Sequence, residues 1–154
     1  MQKLILAVII GIILGCSNSK QNSENSKVPE LVKSAFSAKY PQSSALTWEY
    51  EGGSYEAEFS FKKKAFTAVF DANGKFIEEE TEINVSDLAK SIKDYCKTNY
   101  SDFKISEATI ITNNLGEEKF EAELSKGKTH FDVYFDKNGK FITKESTKLN
   151  EGEN

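Results

Sequence analysis

Two pairs of glutamates set out what chemistry this chain can attempt. Glu56 and Glu58 lie two residues apart, as do Glu121 and Glu123. In an extended strand that spacing puts both carboxylates on one face. Paired carboxylates can in principle act as general acid and base. Little else joins them. The sole histidine is His130, and the chain contains no arginine. A metal site usually needs three or four ligands, which a lone His beside Asp132 does not supply. Residues 71–74 and 136–139 read Asp-x-Asn-Gly. They share residue types with calcium loops but lack the downstream Glu. A tight turn explains them better, since Gly tolerates positive φ. Cys96 falls in a stripe with Leu88, Ile92 and Tyr95 at helical spacing. That placement suits a small buried hydrophobe. A nucleophilic thiol would need a base nearby. The inventory therefore predicts no catalytic residues, no enzyme, no metal and no cofactor.

The chain repeats itself. Residues 55–77 read YEAEFSFKKKAFTAVFDANGKFI and residues 120–142 read FEAELSKGKTHFDVYFDKNGKFI, at a constant offset of 65. An internal repeat points to copies of one unit.

Each copy opens with a helical pattern. Pro29 and Glu30 suit a helix start, and Leu31, Val32, Ala35 and Phe36 form an apolar stripe. Tyr40-Pro41 should end it. In the second copy Ser86 is the expected N-cap, followed by a helix over residues 88–97. Period-2 alternation then predicts strands: Leu46, Trp48, Tyr50; Tyr55, Ala57, Phe59, Phe61; Phe66, Ala68, Phe70; and residues 75–80. Residues 108–112, the alternating Phe120, Ala122 and Leu124, the alternating Phe131, Val133 and Phe135, and residues 140–146 repeat the plan. The expected fold class is α+β. It comprises two tandem units, each one helix packed on a four-stranded antiparallel sheet. Residues 78–82 (EEETE) read as a solvated connection between them.

The first fifteen residues read as a signal peptide. Lys3 precedes an apolar run over residues 4–14, too short to span a bilayer comfortably. Ile13-Leu14-Gly15-Cys16 resembles the bacterial lipobox, which makes Cys16 the lipidated N-terminus of the mature chain. The alternative is an uncleaved anchor helix ending at an incidental Cys. Residues 16–27 (CSNSKQNSENSK) then form a lipidated, disordered tether. The predicted organisation continues with repeat 1 at 28–82, repeat 2 at 83–147 and a polar tail at 148–154. The protein is expected to be exported and anchored through Cys16, facing the periplasm or the cell exterior. The formal net charge is −4 and every basic residue is Lys. Without Arg forks or a basic balance, nucleic acid is not an expected partner.

Lys39-Tyr40-Pro41, Ala45-Leu46-Thr47-Trp48, Tyr55-Glu56-Ala57-Glu58-Phe59 and Phe70-Asp71-Ala72-Asn73-Gly74 together resemble the PepSY-like group of exported bacterial proteins. That group is similar in shape to the β-lactamase inhibitory protein. The second copy departs from the pattern: Asn99-Tyr100 lacks the Pro, and Ile111 is expected to stand where Trp48 does. The resemblance implies tandem helix-plus-sheet units, an extracytoplasmic location and no known catalysis. Some relatives bind and inhibit enzymes through an exposed sheet face.

The wet strand face is thus the candidate protein-binding surface: Glu56, Glu58, Thr67 and Val69 in repeat 1, and Glu121, Glu123, His130, Asp132 and Tyr134 in repeat 2. All are expected to be open to a partner. The functional expectation is a membrane-tethered extracytoplasmic binding module, with inhibition of an exported enzyme as its sharper form. The alternative is a structural envelope lipoprotein without inhibitory activity.

Overall fold

The structure, a computed structural model, describes residues 27–146. The signal peptide, Cys16, most of the tether and the tail at 148–154 lie outside the described residues. Helix α1 spans Glu30–Lys39. Pro29 precedes its first residue, and the Pro29 carbonyl accepts from the Lys33 amide. The Tyr40 amide closes the last turn on Phe36 O at 2.8 Å, after which Pro41 cannot continue a helix. Strands follow: β1 (Ser44–Glu51), β2 (Ser54–Phe61), β3 (Lys64–Asp71) and β4 (Phe76–Glu82). A 3-10 turn at Val85–Asp87 leads to helix α2 (Lys90–Asn99), then β5 (Lys104–Asn113), β6 (Glu118–Lys126), β7 (Thr129–Asp136) and β8 (Phe141–Ser146). Ser86, the expected N-cap, lies inside the 3-10 turn instead, and Ala89 precedes α2. No described helix is long and apolar enough to cross a membrane.

The expected fold class needs correction. The eight strands form one sheet in the order β1-β2-β3-β4-β5-β6-β7-β8, with two short helices, so the fold is mostly β. The EEETE segment is not a solvated connection but most of strand β4. A strand end leaves amides and carbonyls that want partners. Here the Asn114 amide donates to Ile77 O and the Ile83 amide to Ala108 O, each at 2.9 Å.

The described residues also divide into two compact units. One runs through Thr81 and includes Thr112–Gly116; the other holds Glu82–Ile111 and the residues from Glu117 onward. In the first, α1 covers the apolar side of its strands with Val32 and Phe36, against Trp48, Ala57, Phe59, Ala68 and Phe70. Phe36 is the hub. Its ring lies 4.9 Å from Phe59 and 5.3 Å from Trp48, both edge-on, the geometry aromatic quadrupoles favour. Trp48 Nε1 is buried without a hydrogen-bond partner. In the second unit Leu88, Ile92 and Cys96 pack on Ala108, Ala122, Leu124, Phe131, Val133 and Phe135. Ile111 is buried but stands outside that cluster. Ala108 is the β5 residue within it, so Ile111 does not take the place of Trp48.

The β2–β3 register recurs in β6–β7 at the 65-residue offset: Tyr55↔Phe70 and Ala57↔Ala68 become Phe120↔Phe135 and Ala122↔Val133. The turns after β3 and β7 fit under the helices. An added Cβ on Gly74 (φ +80°) would lie 2.6 Å from the Leu31 carbonyl oxygen of α1, whereas on Gly139 (φ +76°) it would meet the Ser91 hydroxyl at 2.2 Å. A backbone atom within a helix cannot yield, but a serine side chain can rotate. Both alanine variants carry positive-φ strain, so Gly74→Ala should lower the melting temperature more than Gly139→Ala. Phe36→Ala should cost about 3–5 kcal/mol, the range for removing a buried aromatic. Thermal and urea melts of the three variants check this; equal losses for the two glycine variants would mean that α1 adjusts freely over the turn.

Candidate functional site

Each strand presents apolar residues to a helix and its alternate residues to the opposite face. In the first unit the register aligns that opposite face in two rows. One row runs Glu49, Glu56, Val69, Glu78; the next runs Thr47, Glu58, Thr67, Glu80. The row ends depend on a bulge. Phe70 pairs with Phe76, yet Val69 pairs with Glu78, so Ile77 is the extra residue. The bulge returns Glu78 to the acid-bearing face and sends Glu79 to the helix side, where its carboxylate accepts from the Tyr40 hydroxyl.

Like charges directly across a ladder repel. The Glu56 carboxyl is pushed up from 4.5 to about 7, by desolvation first and then by Glu51, Glu49, Glu58 and Glu78. Glu58 is raised as well, by burial and by Glu49. Glu78 is 7% exposed. The Tyr40 hydroxyl is raised by burial and by its bond to Glu79, which keeps it a donor.

In the second unit the same face holds Glu121 opposite Tyr134, Glu123 opposite Asp132, and Ser125 opposite His130. Tyr134 and Asp132 continue onto Thr143 and Glu145 of β8. The Ser106 hydroxyl donates to Glu123 Oε1 at 2.6 Å. Burial, then Glu123 and Glu82, raises Glu107. Burial raises the Tyr134 hydroxyl, helped by Glu121, Asp132 and Glu145.

The structure places all nine expected face residues away from the helix-packed clusters. It corrects their exposure. Tyr134 is only 3% and Asp132 only 2% exposed; Glu121, Glu123 and Val69 are also buried, while Glu56, Glu58, Thr67 and His130 are partly buried. Strands β6 and β7 are interior to the sheet, so side chains on β5 and β8 crowd them from both sides. The Lys119 ammonium also lies 5.2 Å over the Tyr134 ring. Truncating Tyr134 would therefore damage folding as well as any contact. Glu78 escaped sequence reasoning because an acidic run shows no alternation.

Among the described residues no group of three or more His, Cys, Asp or Glu is arranged to hold a metal. Asp71 Oδ1 accepts the amides of Asn73 and Lys75, at 2.8 and 2.9 Å. Asp136 Oδ1 does the same for Asn138 and Lys140, at 2.9 Å each. These amides hold both carboxyls below their ordinary range, the bond to Lys75 or Lys140 contributing most. Cys96 is a buried free thiol pushed up to about 11 by desolvation, the opposite of an activated nucleophile.

An antiparallel sheet with a helix-packed apolar side and an acid-bearing opposite side defines a class of small β-rich modules. Residues 17–77 and, overlapping them, 53–143 match the PepSY-like family, provisionally described as beta-lactamase-inhibitor-like, and the chain belongs to that family. Similar solved structures include a BLIP-like protein from Bacteroides fragilis, with 21% identity over 82% of this chain and 91% of that one and a TM-score of 0.63. A DUF2874 family protein from Bacteroides uniformis shares 16% identity over 77% and 88%, with a TM-score of 0.67. A Bacteroides eggerthii protein, provisionally described as periplasmic, shares 14% over 77% and 88%, with a TM-score of 0.69. At such identities the likeness is one of fold. No curated protein matches the chain.

The raised Glu56 carboxyl sets a pH dependence. Folding raises its pKa from 4.5 to about 7, so between those values the folded chain holds a proton that the unfolded chain releases. This contribution is fully present below 4.5 and is lost as pH rises through 7. Glu58 and Glu107 act in the same direction. Because Glu56 is partly exposed, solvent screening reduces its share to on the order of 1 kcal/mol. Urea melts at pH 5 and pH 8 should show Glu56→Gln losing less stability between the two than the parent protein. Identical losses would assign the slope to other groups.

Proposed function

We propose that the chain is a membrane-tethered, extracytoplasmic binding module whose working surface is the acid-bearing sheet face. The observation that carries this reading is the row Glu49, Glu56, Val69, Glu78. Folding does not need three carboxylates in one row; a pure fold requirement would favour neutral or opposite charges there. Membership of a family described as beta-lactamase-inhibitor-like supports a binding role. Inhibition of an exported enzyme is the sharper form of the proposal. The periplasmic description of the Bacteroides eggerthii protein and the Ile13-Leu14-Gly15-Cys16 segment support export with anchoring at Cys16.

Two measurements test the reading. Pull-down from the envelope with the full chain should return one stoichiometric protein; bulk envelope components alone would favour a structural lipoprotein. Cys16→Ser should abolish fatty-acid labelling and leave the precursor uncleaved. A variant labelled as strongly as the parent would rule out Cys16 as the lipidated residue.

A further inference from the structure

We infer that the Lys62–Lys64 turn docks on an anionic lipid surface. The inference rests on the reading of Cys16 as a membrane anchor and adds the part of the body that meets the membrane. The β2–β3 hairpin turns through Lys62 and Lys63, beyond the last pair of its ladder, Phe61↔Lys64. All three lysines are exposed. None forms an ion pair among the described residues. Lys62 Nζ lies 5.0 Å over the Phe61 ring. The two rungs nearest the turn, Phe61↔Lys64 and Ser60↔Ala65, carry no acid, and Ser44, paired with Ser60, adds none.

The backbone is the second, independent observation. Lys62 has φ +50° and Lys63 has φ +66°. Both are left-handed, a conformation that is costly for an ordinary side chain and that favours Asn-Gly in a two-residue hairpin turn. At the 65-residue offset the second unit places Gly127 (φ +62°) where Lys62 stands, and only that glycine is left-handed there. Lys126 beside it pairs with Asp102 at 2.8 Å. One copy thus relieves its turn and neutralises the adjoining lysine. The other strains its turn and leaves three ammoniums side by side, where like charges repel. Folding alone favours the first arrangement.

The chemistry of the turn suits a lipid surface. Each lysine is a hydrated point charge on a flexible stem, not a planar fork that reads one partner geometry. Three such groups at a hairpin tip meet a diffuse layer of headgroup phosphates without a fixed register. Chain length permits the contact. The eleven residues from Ser17 to Lys27 reach at most about 40 Å from Cys16. They lead into α1, whose Leu31 carbonyl lies over the Gly74 turn. That turn and the lysine turn stand at opposite ends of β3, 8 residues long or about 27 Å. The reach exceeds this length, so a body anchored at Cys16 can lay its lysine turn on the headgroups. Attraction fades beyond about 8 Å at physiological salt, so the turn must lie at the surface.

The test inserts the full chain, extracted from the membrane fraction, into two kinds of vesicle. One is phosphatidylcholine with roughly one-third phosphatidylglycerol; the other is phosphatidylcholine alone. An amine-reactive reagent read by mass spectrometry gives the labelling rate of each lysine. Lys62, Lys63 and Lys64 should label about fivefold more slowly on the anionic vesicles, and the difference should vanish at about 0.5 M salt. Equal slowing at Lys137, an exposed lysine of another turn, would overturn the inference. The variant Lys62→Asn/Lys63→Gly restores the favoured turn residues. It should melt a few degrees higher, yet the slowing at Lys64 should shrink to under about twofold. A variant that melts lower and keeps the slowing at Lys64 would overturn the inference. Unchanged labelling on protein that floats with both vesicles overturns it and leaves the anchor standing. Protein that floats with neither overturns both. Slowing in both lipids that grows with protein density would assign the lysines to the acid-bearing face of a second copy and overturn the lipid reading.

Discussion

One carboxylate oxygen on Asp71, and its counterpart on Asp136, closes the turn from which the rest of each unit is registered. Each oxygen accepts two backbone amides at 2.8–2.9 Å. The turn then admits a left-handed glycine directly beneath a helix. The same structure therefore sets strand register and helix seating together. A slip of one residue would exchange the faces of a strand. The adjoining bulges, at Val69/Phe70 and Tyr134/Phe135, absorb one residue each. They keep Phe76 and Phe141 against the apolar clusters. Without the first bulge, Ile77 would replace Glu78 on the acid-bearing face.

That register fixes the electrostatics. Charges that would be harmless on separate loops are locked about 5–7 Å apart by the ladder. Desolvation by neighbouring strands then raises the carboxyls of Glu56, Glu58 and Glu107. The fold bears this repulsion because its apolar side is well packed: Phe36 alone touches four aromatic rings. Violating a local rule on one face while the other compensates is the pattern expected of a functional surface.

Much of this was legible in residue order. Alternation alone assigns Phe131, Val133 and Phe135 to the helix side and His130, Asp132 and Tyr134 to the other, because the period of two is a property of the extended backbone. Continuity of the sheet was not legible. Residues 78–82 hold four acids and a threonine, so nothing in their hydropathy announces a strand; their pairing is backbone hydrogen bonding, which carries no side-chain signature. The bulge at Ile77 leaves no trace for the same reason. Burial of Asp132 and Glu121 also escaped, since exposure on a sheet face depends on which strands flank it.

The two units differ in an instructive place. Tyr40 is held by Glu79. At the 65-residue offset, Lys144 replaces Glu79, and its ammonium lies 4.2 Å from the Phe131 ring and 5.5 Å from Tyr100. A hydrogen bond in one unit thus gives way to a cation over aromatic faces in the other. The helix side tolerates reversal of charge at an equivalent position. On the opposite face Glu56, Glu58 and Glu80 recur as Glu121, Glu123 and Glu145. Glu123 is held by the Ser106 hydroxyl, whereas Glu56 faces Glu49 across the ladder, a pairing that repulsion opposes. A partner that reads the negative row, as proposed above, would offset that cost.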